Sequence, residues 1–136
     1  MTKRPNVLFI VIDALRSKNL GCYGYTKPTS PQIDKVAREG VLFESAYCSA
    51  NTTDPSLTSI FSGKYPISHG ITEHAERVRR EDIRRFYEGR TVLLPEILKS
   101  IGYHTLAVDW LGRWHRDGYE YYSGVLEPLR FKPHTL

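Results

Sequence analysis

The sequence is poor in cysteine and contains no long hydrophobic run. Cys22 and Cys48 are too few and too unpatterned for a disulfide framework or a zinc knuckle, so we expect both to be reduced structural residues. The longest near-continuous apolar run, residues 7–12 (VLFIVI), is far shorter than the roughly 18 residues of a membrane-spanning helix. No apolar targeting segment follows the first residues, and we therefore expect a cytoplasmic protein that does not contact a membrane.

The composition is that of a water-soluble globular chain. Of its 136 residues, 40% are hydrophobic and 25% are charged, which predicts a single domain over residues 1–136. The net charge of +4 is mild, and the arginines between residues 77 and 85 alternate with acidic residues. This pattern favours a solvated helical face over a nucleic-acid site.

Strand-like and helix-like segments alternate along the chain. Short apolar runs predict strands at residues 6–13, 41–47 and 104–109. Capping and proline signals predict helices that begin at Ser30-Pro31 and at Asp54-Pro55 and end at Gly40 and Gly63, with a third helix over residues 91–101. This order predicts an α/β fold with a mostly parallel sheet and flanking helices, whose ligands bind outside the carboxyl ends of the strands. The tail over residues 119–136 shows no clear period and is expected to be irregular.

Two candidate functional residues lie at positions where α/β folds commonly bind ligands. Asp13 ends the first predicted strand, where a carboxylate suits a hard divalent cation, although such an acid can also cap a loop amide. Thr53 precedes a predicted helix, and a hydroxyl there lies beside free amide groups that suit a tetrahedral anion. The alternative is plain helix capping by Thr53 or Asp54.

Several motifs then occur in the order of a known family. They are residues 5–13 (PNVLFIVID), 20–25 (LGCYGY), 29–34 (TSPQID), 40–43 (GVLF), 53–56 (TDPS), 63–70 (GKYPISHG) and 102–105 (GYHT). Together they resemble the amino-terminal part of the sulfatases, within the alkaline phosphatase superfamily. The segment 112–115 (GRWH) is similar to that family's Gly-Lys-Trp-His anion-binding segment, with Arg113 in place of the lysine.

The resemblance implies a metal-dependent hydrolase of sulfate or phosphate esters. In that family the acid after the first strand, here Asp13, binds a divalent metal (Ca, Mn, Zn or Mg), and the residue two before the proline, here Thr53, is the nucleophile. Arg113 and His115 would bind the small anionic ester substrate. A metal beside the hydroxyl would lower its pKa and screen the charge of the ester.

The sequence departs from the family pattern at three positions. Family members with the full signature carry Cys or Ser, converted to formylglycine, where this chain has Thr53, and an Arg where it has Leu57. An unmodified threonine is typical of the phosphoryl-transferring branches of the superfamily, so the choice between sulfate and phosphate esters stays open. The family commonly has two acids in a row after the first strand, and this chain has Ala14 in place of the second.

Family enzymes run to several hundred residues, and their later metal ligands have no counterpart here. The chain therefore resembles the amino-terminal third to quarter of a sulfatase domain, and we expect it to be inactive alone and to expose an unfinished sheet edge that permits oligomers. The alternative is a non-catalytic sulfatase-like protein that binds anions or a partner. Structural roles are expected for four histidines, His69, His74, His104 and His134.

Overall fold

A computed structural model describes residues 4–124, which divide into two compact units at Tyr47/Cys48. The first unit contains helix α1 (Pro31–Glu39). The second contains α2 (Thr53–Ser62), α3 (Pro66–His69), α4 (Arg80–Glu88), α5 (Leu94–Ser100) and strands β1 (Leu106–Val108) and β2 (Tyr121–Ser123). Short 3-10 turns cover Ser17–Asn19, Gly21–Tyr23, Ala75–Arg77 and Arg113–Arg116.

In the first unit, the start of α1 holds the 3-10 turn at Gly21–Tyr23. Ser30 Oγ accepts a hydrogen bond from the Gly21 amide at 2.9 Å and donates to Asp34 Oδ1 at 3.0 Å. The same carboxylate accepts from the Cys22 amide at 2.8 Å. A Cβ at Gly21 would collide with Asp34, so this contact requires glycine. The predicted start of α1 after Ser30 and its end at Gly40 are confirmed.

The strands predicted at residues 6–13 and 41–47 are wrong for the described structure. Residues 4–12 have no regular secondary structure, residues 13–14 form a turn, and residues 41–47 are irregular. Apolar side chains from residue 7 to residue 12 are 44% to 84% exposed. A continuous apolar run becomes a strand only where another backbone segment aligns with it, and a sequence pattern does not show whether that segment is present.

Helix α2 begins earlier than its capping signal indicates. Thr53 is its first residue and Thr52 its N-cap, so Asp54 and Pro55 lie inside the first turn. The Thr52 carbonyl accepts the Ser56 amide at 3.1 Å, but no side chain caps the helix. The predicted end is confirmed, because Gly63 follows in the left-handed region with φ of 66°.

A small parallel sheet lies in the second unit. Strand β1 pairs in parallel with β2, with Leu106 opposite Tyr121 and Val108 opposite Ser123. The strand predicted over residues 104–109 is thus confirmed, whereas the expectation of an irregular segment from residue 119 is wrong at β2. The remaining tail, residues 125–136, lies outside the described residues. Helices with a small parallel sheet make this an α/β fold, as predicted.

The core of the second unit is small and centred on an indole. Ile71, Phe86, Leu93 and Trp114 are each at most 1% exposed and pack together. The Phe86 and Trp114 ring centroids are 6.0 Å apart, which joins α4 to the 3-10 turn at Arg113–Arg116. This packing anchors the turn that carries two of the predicted site residues.

The charged segment around α4 is solvated, as predicted. On α4, Arg84 and Arg85 form ion pairs with Glu88 and Glu81, one helical turn away, through side chains that are about half exposed or more. Both cysteines are free thiols, with Cys22 half-buried and Cys48 exposed. Cys48 therefore does not serve as a small buried apolar residue. No helix within residues 4–124 is long and apolar enough to cross a membrane.

Candidate active site at the amino end of helix α2

Thr53 lies in the first turn of α2 and is partly buried. Backbone amides at the start of a helix have no partner within the helix, and the helix dipole is positive there. The hydroxyl of Thr53 is thus beside a region that favours negative charge. This is the environment that the sequence predicts for a group that binds or attacks a tetrahedral anion.

The carboxylate of the next residue, Asp54, collects three contacts on one oxygen. Asp54 Oδ2 accepts from the Ala75 amide at 2.8 Å, lies 3.0 Å from His74 Nδ1 and lies 3.7 Å from Arg113 Nη1. Asp54 is only 4% exposed. A buried carboxylate is stable only when it is hydrogen-bonded or paired, and these contacts satisfy that requirement. Asp54 thus joins two separate segments of the chain to the amino end of α2.

The contact with Asp54 defines the proton position on His74. The His74 Nδ1 atom lies 3.0 Å from the Asp54 carboxylate and 3.4 Å from the Asp54 amide. It cannot donate to the first and accept from the second at once. The shorter contact with a negative charge favours a proton on Nδ1 that is donated to Oδ2. Within residues 4–124 no hydrogen bond or ion pair reaches Nε2 of this ring.

The loop after β1 is held in an unusual conformation. Asp109 Oδ1 accepts from the Leu111 amide at 2.7 Å and from the Tyr122 hydroxyl. That hydroxyl in turn accepts from the Gly112 amide at 2.8 Å. Gly112 has φ of 63° and ψ of −151°, which is essentially restricted to glycine, and Arg113 follows with φ of 49°. These contacts direct the chain so that Arg113 reaches Asp54.

Burial and the nearby carboxylate change the acidity of Tyr122. Burial is the main cause that raises the pKa of its hydroxyl, and the hydrogen bond to Asp109 adds to it. The hydroxyl therefore remains a proton donor to Asp109 over the ordinary pH range. The guanidinium of Arg116 lies 5.0 Å from the centre of the same ring. These contacts stabilise the loop but do not touch the start of α2.

Hydrogen bonds of the Thr58 side chain join the middle of α2 to the 3-10 turn at Arg113–Arg116. Thr58 is fully buried, and its hydroxyl donates to the Asp54 carbonyl at 2.6 Å. It accepts from Trp114 Nε1 at 2.8 Å and lies 3.2 Å from His115 Nε2. Since the single hydroxyl proton goes to the carbonyl, His115 must carry its proton on Nε2 and donate it to Thr58.

This assignment leaves His115 Nδ1 as a lone-pair nitrogen. His115 is 3% exposed, and Nδ1 has no hydrogen-bond partner among the described residues. Burial is the main cause that lowers the pKa of His115; the carboxylates of Asp54 and Asp109 act in the opposite direction. The neutral ring is therefore favoured. A buried polar atom without a partner is rare in native proteins and marks a position to which a ligand or water can bind.

The predicted metal ligand, Asp13, lies in the first unit. It is an exposed turn residue, and its Oδ1 accepts the Ala14 amide at 3.1 Å. Ala14 has a positive φ of 56°, so the turn is tight. An accessible carboxylate is a suitable oxygen ligand for a hard divalent cation. Within residues 4–124, however, no group of three or more His, Cys, Asp or Glu residues is placed to hold a metal.

The structure thus brings together three of the four predicted site residues around α2. Thr53 is on the helix, Arg113 contacts the adjacent Asp54, and His115 contacts Thr58 one turn further along. Asp13 belongs to the other unit and is placed there by itself. The connections through Asp54 and Thr58 were not predicted, because no spacing in the sequence relates them to residues 113–115.

The predicted structural role of three histidines can be compared with their contacts. His69 is buried, accepts from the Ile71 amide at 3.1 Å and lies 3.0 Å from Ser59 Oγ, which is a structural role. His104 is exposed and pairs with Glu120 at 2.8 Å. His74, in contrast, stands beside the candidate site. His134 lies outside the described residues.

A cleft of about 380 Å³ opens beside the start of α2. One wall is formed by Asn51 and Thr52, which immediately precede Thr53. The other wall is formed by the segment from Thr72 to Arg77, which includes His74. The cleft therefore adjoins the residue that is predicted to be the nucleophile.

Comparisons with known proteins agree with the resemblance seen in the motifs. The chain is 33% identical over 114 residues to an N-acetylgalactosamine-6-O-sulfatase of Bacteroides thetaiotaomicron, covering 84% of this chain and 21% of that protein. It is 29% identical over 126 residues to an N-acetylglucosamine-6-O-sulfatase of the same organism, covering 90% and 20%. It is 32% identical over 115 residues to human N-acetylgalactosamine-6-sulfatase, covering 82% and 22%.

The chain thus spans about a fifth of the length of the curated relatives it matches. No solved structure gives a significant match. The sulfatase family model matches residues 5–130, which is nearly all of the sequence and includes every predicted site residue. With that match and the order of its motifs, the chain belongs to the sulfatase family.

Proposed function

We propose that the protein hydrolyses sulfate esters, or phosphate esters by the same route, with Thr53 as the nucleophile. The observation that supports this most directly is the placement of Thr53 in the first turn of α2, with Arg113 held at the adjacent residue through Asp54. Oxygen Oγ of Thr53 would bond to the sulfur or phosphorus as the bond to the alcohol oxygen breaks. The alcohol leaves with a proton, and water then hydrolyses the threonine ester.

Arg113 is the proposed ligand of the ester oxygens. Its guanidinium can donate two parallel hydrogen bonds to a tetrahedral oxyanion, and its side chain is about one-third exposed, so that a substrate can reach it. Asp54 positions Arg113 but also neutralises its charge. The pair therefore brings no net positive charge to an anionic ester, and the site needs a further cation.

A divalent metal would supply that cation, and Asp13 is its proposed ligand in this chain. When bound, the metal would lower the pKa of the nucleophile and stabilise charge that develops on the ester oxygens. Asp13 fits this role because its carboxylate is exposed and, among residues 4–124, accepts a single hydrogen bond, from its neighbouring amide. The family resemblance assigns the other ligands to later sequence.

His115 is the second proposed substrate ligand, and its protonation decides how it binds. In the neutral form its Nδ1 accepts a hydrogen bond, whereas an oxyanion requires a donor. An anion beside Nδ1 would favour proton uptake, after which Nδ1–H donates to the substrate while Nε2–H stays on Thr58. Substrate binding and proton uptake are then coupled.

The names of the relatives indicate which esters to assay first. Two Bacteroides proteins and the human protein are described as sulfatases of the 6-position of N-acetylhexosamines. We propose that the alcohol half of the substrate here is also carbohydrate. The threonine nucleophile keeps phosphate monoesters and diesters in the assay panel alongside the sulfates.

The decisive experiment uses the enzyme made from its complete reading frame. Wild type and Thr53→Ala are assayed on 4-nitrophenyl sulfate, 4-nitrophenyl phosphate and the 6-sulfates of both N-acetylhexosamines, with added Ca, Mn, Zn or Mg. Loss of a nucleophile costs several orders of magnitude in kcat. On the two 4-nitrophenyl esters Thr52→Ala is the matched control, because the adjacent N-cap hydroxyl makes no side-chain capping bond.

Three outcomes would contradict parts of the proposal. Turnover by Thr53→Ala at the wild-type rate would exclude Thr53 as nucleophile. Unchanged metal content in Asp13→Ala would exclude Asp13 as a ligand. If wild type hydrolyses none of the esters with any metal and still binds sulfate or phosphate, the non-catalytic anion-binding alternative is correct.

A further inference from the structure

The cleft beside α2 differs in composition from the hydrophobic core of the second unit. It is lined by Asn51, Thr52, Thr72, Glu73, His74, Ala75, Glu76 and Arg77. Seven of these eight side chains carry a polar group that can donate or accept a hydrogen bond, and the eighth is alanine. A cleft whose described lining has no large apolar side chain does not suit a hydrophobic ligand.

The lining carries a small excess of negative charge. Glu73 and Glu76 contribute two negative charges, and Arg77 contributes one positive charge. The site around Thr53 and Arg113 is suited to an anion, but this cleft would repel a second one. Its chemistry instead matches a neutral group rich in hydroxyls, which both donate and accept hydrogen bonds.

One side chain in this lining is held in a defined orientation. The buried carboxylate of Asp54 accepts from His74 Nδ1 at 3.0 Å, and it is itself fixed by the Ala75 amide at 2.8 Å. The His74 side chain is about one-third exposed, so the ring is accessible from the cleft. A ring fixed through one nitrogen presents the other, Nε2, for a ligand at little further entropic cost.

Asp54 also connects the cleft to the proposed chemistry. It follows Thr53 directly, and the same oxygen that contacts His74 contacts Arg113 at 3.7 Å. A substrate with its anionic group at Arg113 and Thr53 would therefore have its other half beside the cleft walls formed by Thr52 and His74.

We propose that this cleft binds the alcohol half of the ester substrate, and that His74 Nε2 forms a hydrogen bond with one of its hydroxyl or amide groups. His74 is then a residue that determines substrate specificity, and Asp54 is its positioning residue. This inference rests on the proposed ester hydrolysis for the position of the substrate. It adds the chemical class that the cleft accepts, neutral and hydroxyl-rich, and the residue that selects it.

The test compares two substrates that share the reacting group. 4-Nitrophenyl sulfate has no hydroxyls to offer the cleft, whereas N-acetylglucosamine 6-sulfate has several. In His74→Ala, kcat/KM for the sugar sulfate is expected to fall about three- to tenfold, mainly through KM, as expected for one lost hydrogen bond. The value for 4-nitrophenyl sulfate is expected to stay within twofold, and His74→Gln should recover part of the loss.

His104→Ala is the matched control, since this histidine also pairs with an acid but is exposed and lies outside the cleft. In His104→Ala, kcat/KM should stay unchanged for both substrates. An equal fall for both substrates in His74→Ala would show a general structural role and overturn the inference. No change for either substrate would also overturn it.

A binding measurement separates this inference from the proposed reaction. Binding of unmodified N-acetylglucosamine is followed by saturation-transfer NMR on wild type, Thr53→Ala and His74→Ala. We expect the sugar to bind wild type and Thr53→Ala equally and His74→Ala at least threefold more weakly. Equal binding by all three refutes the cleft assignment, whatever the ester assays show. A failure of Thr53 as nucleophile with the expected binding refutes only the reaction.

Discussion

The hydroxyl of Thr58 provides the sharpest test of how the site is built. Thr58→Val keeps the shape of the side chain but removes the acceptor of two buried donors, Trp114 Nε1–H at 2.8 Å and His115 Nε2–H at 3.2 Å. A buried donor without a partner costs about 1–3 kcal/mol. The indole bond is short, and the imidazole contact is near the upper limit for a hydrogen bond. We therefore expect Thr58→Val to lower the free energy of unfolding by about 3 kcal/mol.

Thr58→Ser is the matched control, because it keeps the hydroxyl and removes one buried methyl. Its expected cost is about 1 kcal/mol. Both variants are measured by urea unfolding, with the midpoint and the m-value followed by tryptophan fluorescence. A Thr58→Val variant no less stable than Thr58→Ser would refute the reasoning, since it would mean that neither donor depends on the hydroxyl.

A double-mutant cycle measures how much of the stability lost in Thr58→Val comes from the hydrogen bond with Trp114 Nε1. In the Thr58→Val background the indole donor is already unpaired, so Trp114→Phe removes an unfavourable group instead of a hydrogen bond. We expect Trp114→Phe to be less destabilising there than in wild type by about 1 kcal/mol or more. Additive effects of the two changes would show that the 2.8 Å contact contributes nothing to stability.

Three further predictions concern the loop, the acid side of the stability curve and helix α4. Gly112→Ala should cost about 1–3 kcal/mol from backbone strain alone, since an added Cβ at Gly112 meets no atom within 4 Å; an unchanged urea midpoint would contradict the φ and ψ of this residue. Because burial lowers the pKa of His115, the unfolded chain binds more protons than the folded chain below about pH 6.5. As the pH falls through that range, the free energy of unfolding should decrease by up to about 1.4 kcal/mol per pH unit. His115→Gln should flatten that part of a pH series of thermal melts, and a slope identical to wild type would show that folding does not lower the pKa of His115. Asp82→Ala should cost about 1 kcal/mol at pH 7, because Asp82 Oδ2 accepts the Arg79 amide at 2.9 Å, and the difference from wild type should vanish as acid protonates the carboxyl, whose pKa that hydrogen bond lowers.

The sequence indicated the loop around Arg113 but gave no sign of the neighbouring cleft. Residues 112–115 were identified from their resemblance to a family motif, and the structure places Arg113 and His115 beside α2. Nothing in the sequence identified His74, because twenty residues separate it from Asp54 and no motif includes both. Their contact exists only because the 72–77 segment folds back over the start of α2.

Local signals identified both ends of α1 and the end of α2 but identified the strands poorly. Ser30-Pro31 and Gly40 bounded α1, and Gly63 ended α2, because capping depends on a few adjacent residues. The apolar run at residues 7–12 had the strongest strand pattern in the chain and is not a strand in the described structure. The sequence of β2, in contrast, has no convincing strand pattern. It nevertheless forms a strand, because it pairs with β1.

By itself the sequence determined the family, the α/β class, both ends of α1, the end of α2 and the identity of the candidate residues, all of which depend on residue type and local order. Only the tertiary structure decided that Asp54 joins Arg113 to His74, that Thr58 assigns the proton of His115 to Nε2, and which segments pair as strands. Those features depend on contacts between residues distant in the chain. Hydrogen bonds and burial across such distances leave no periodicity or spacing in the sequence by which to predict them.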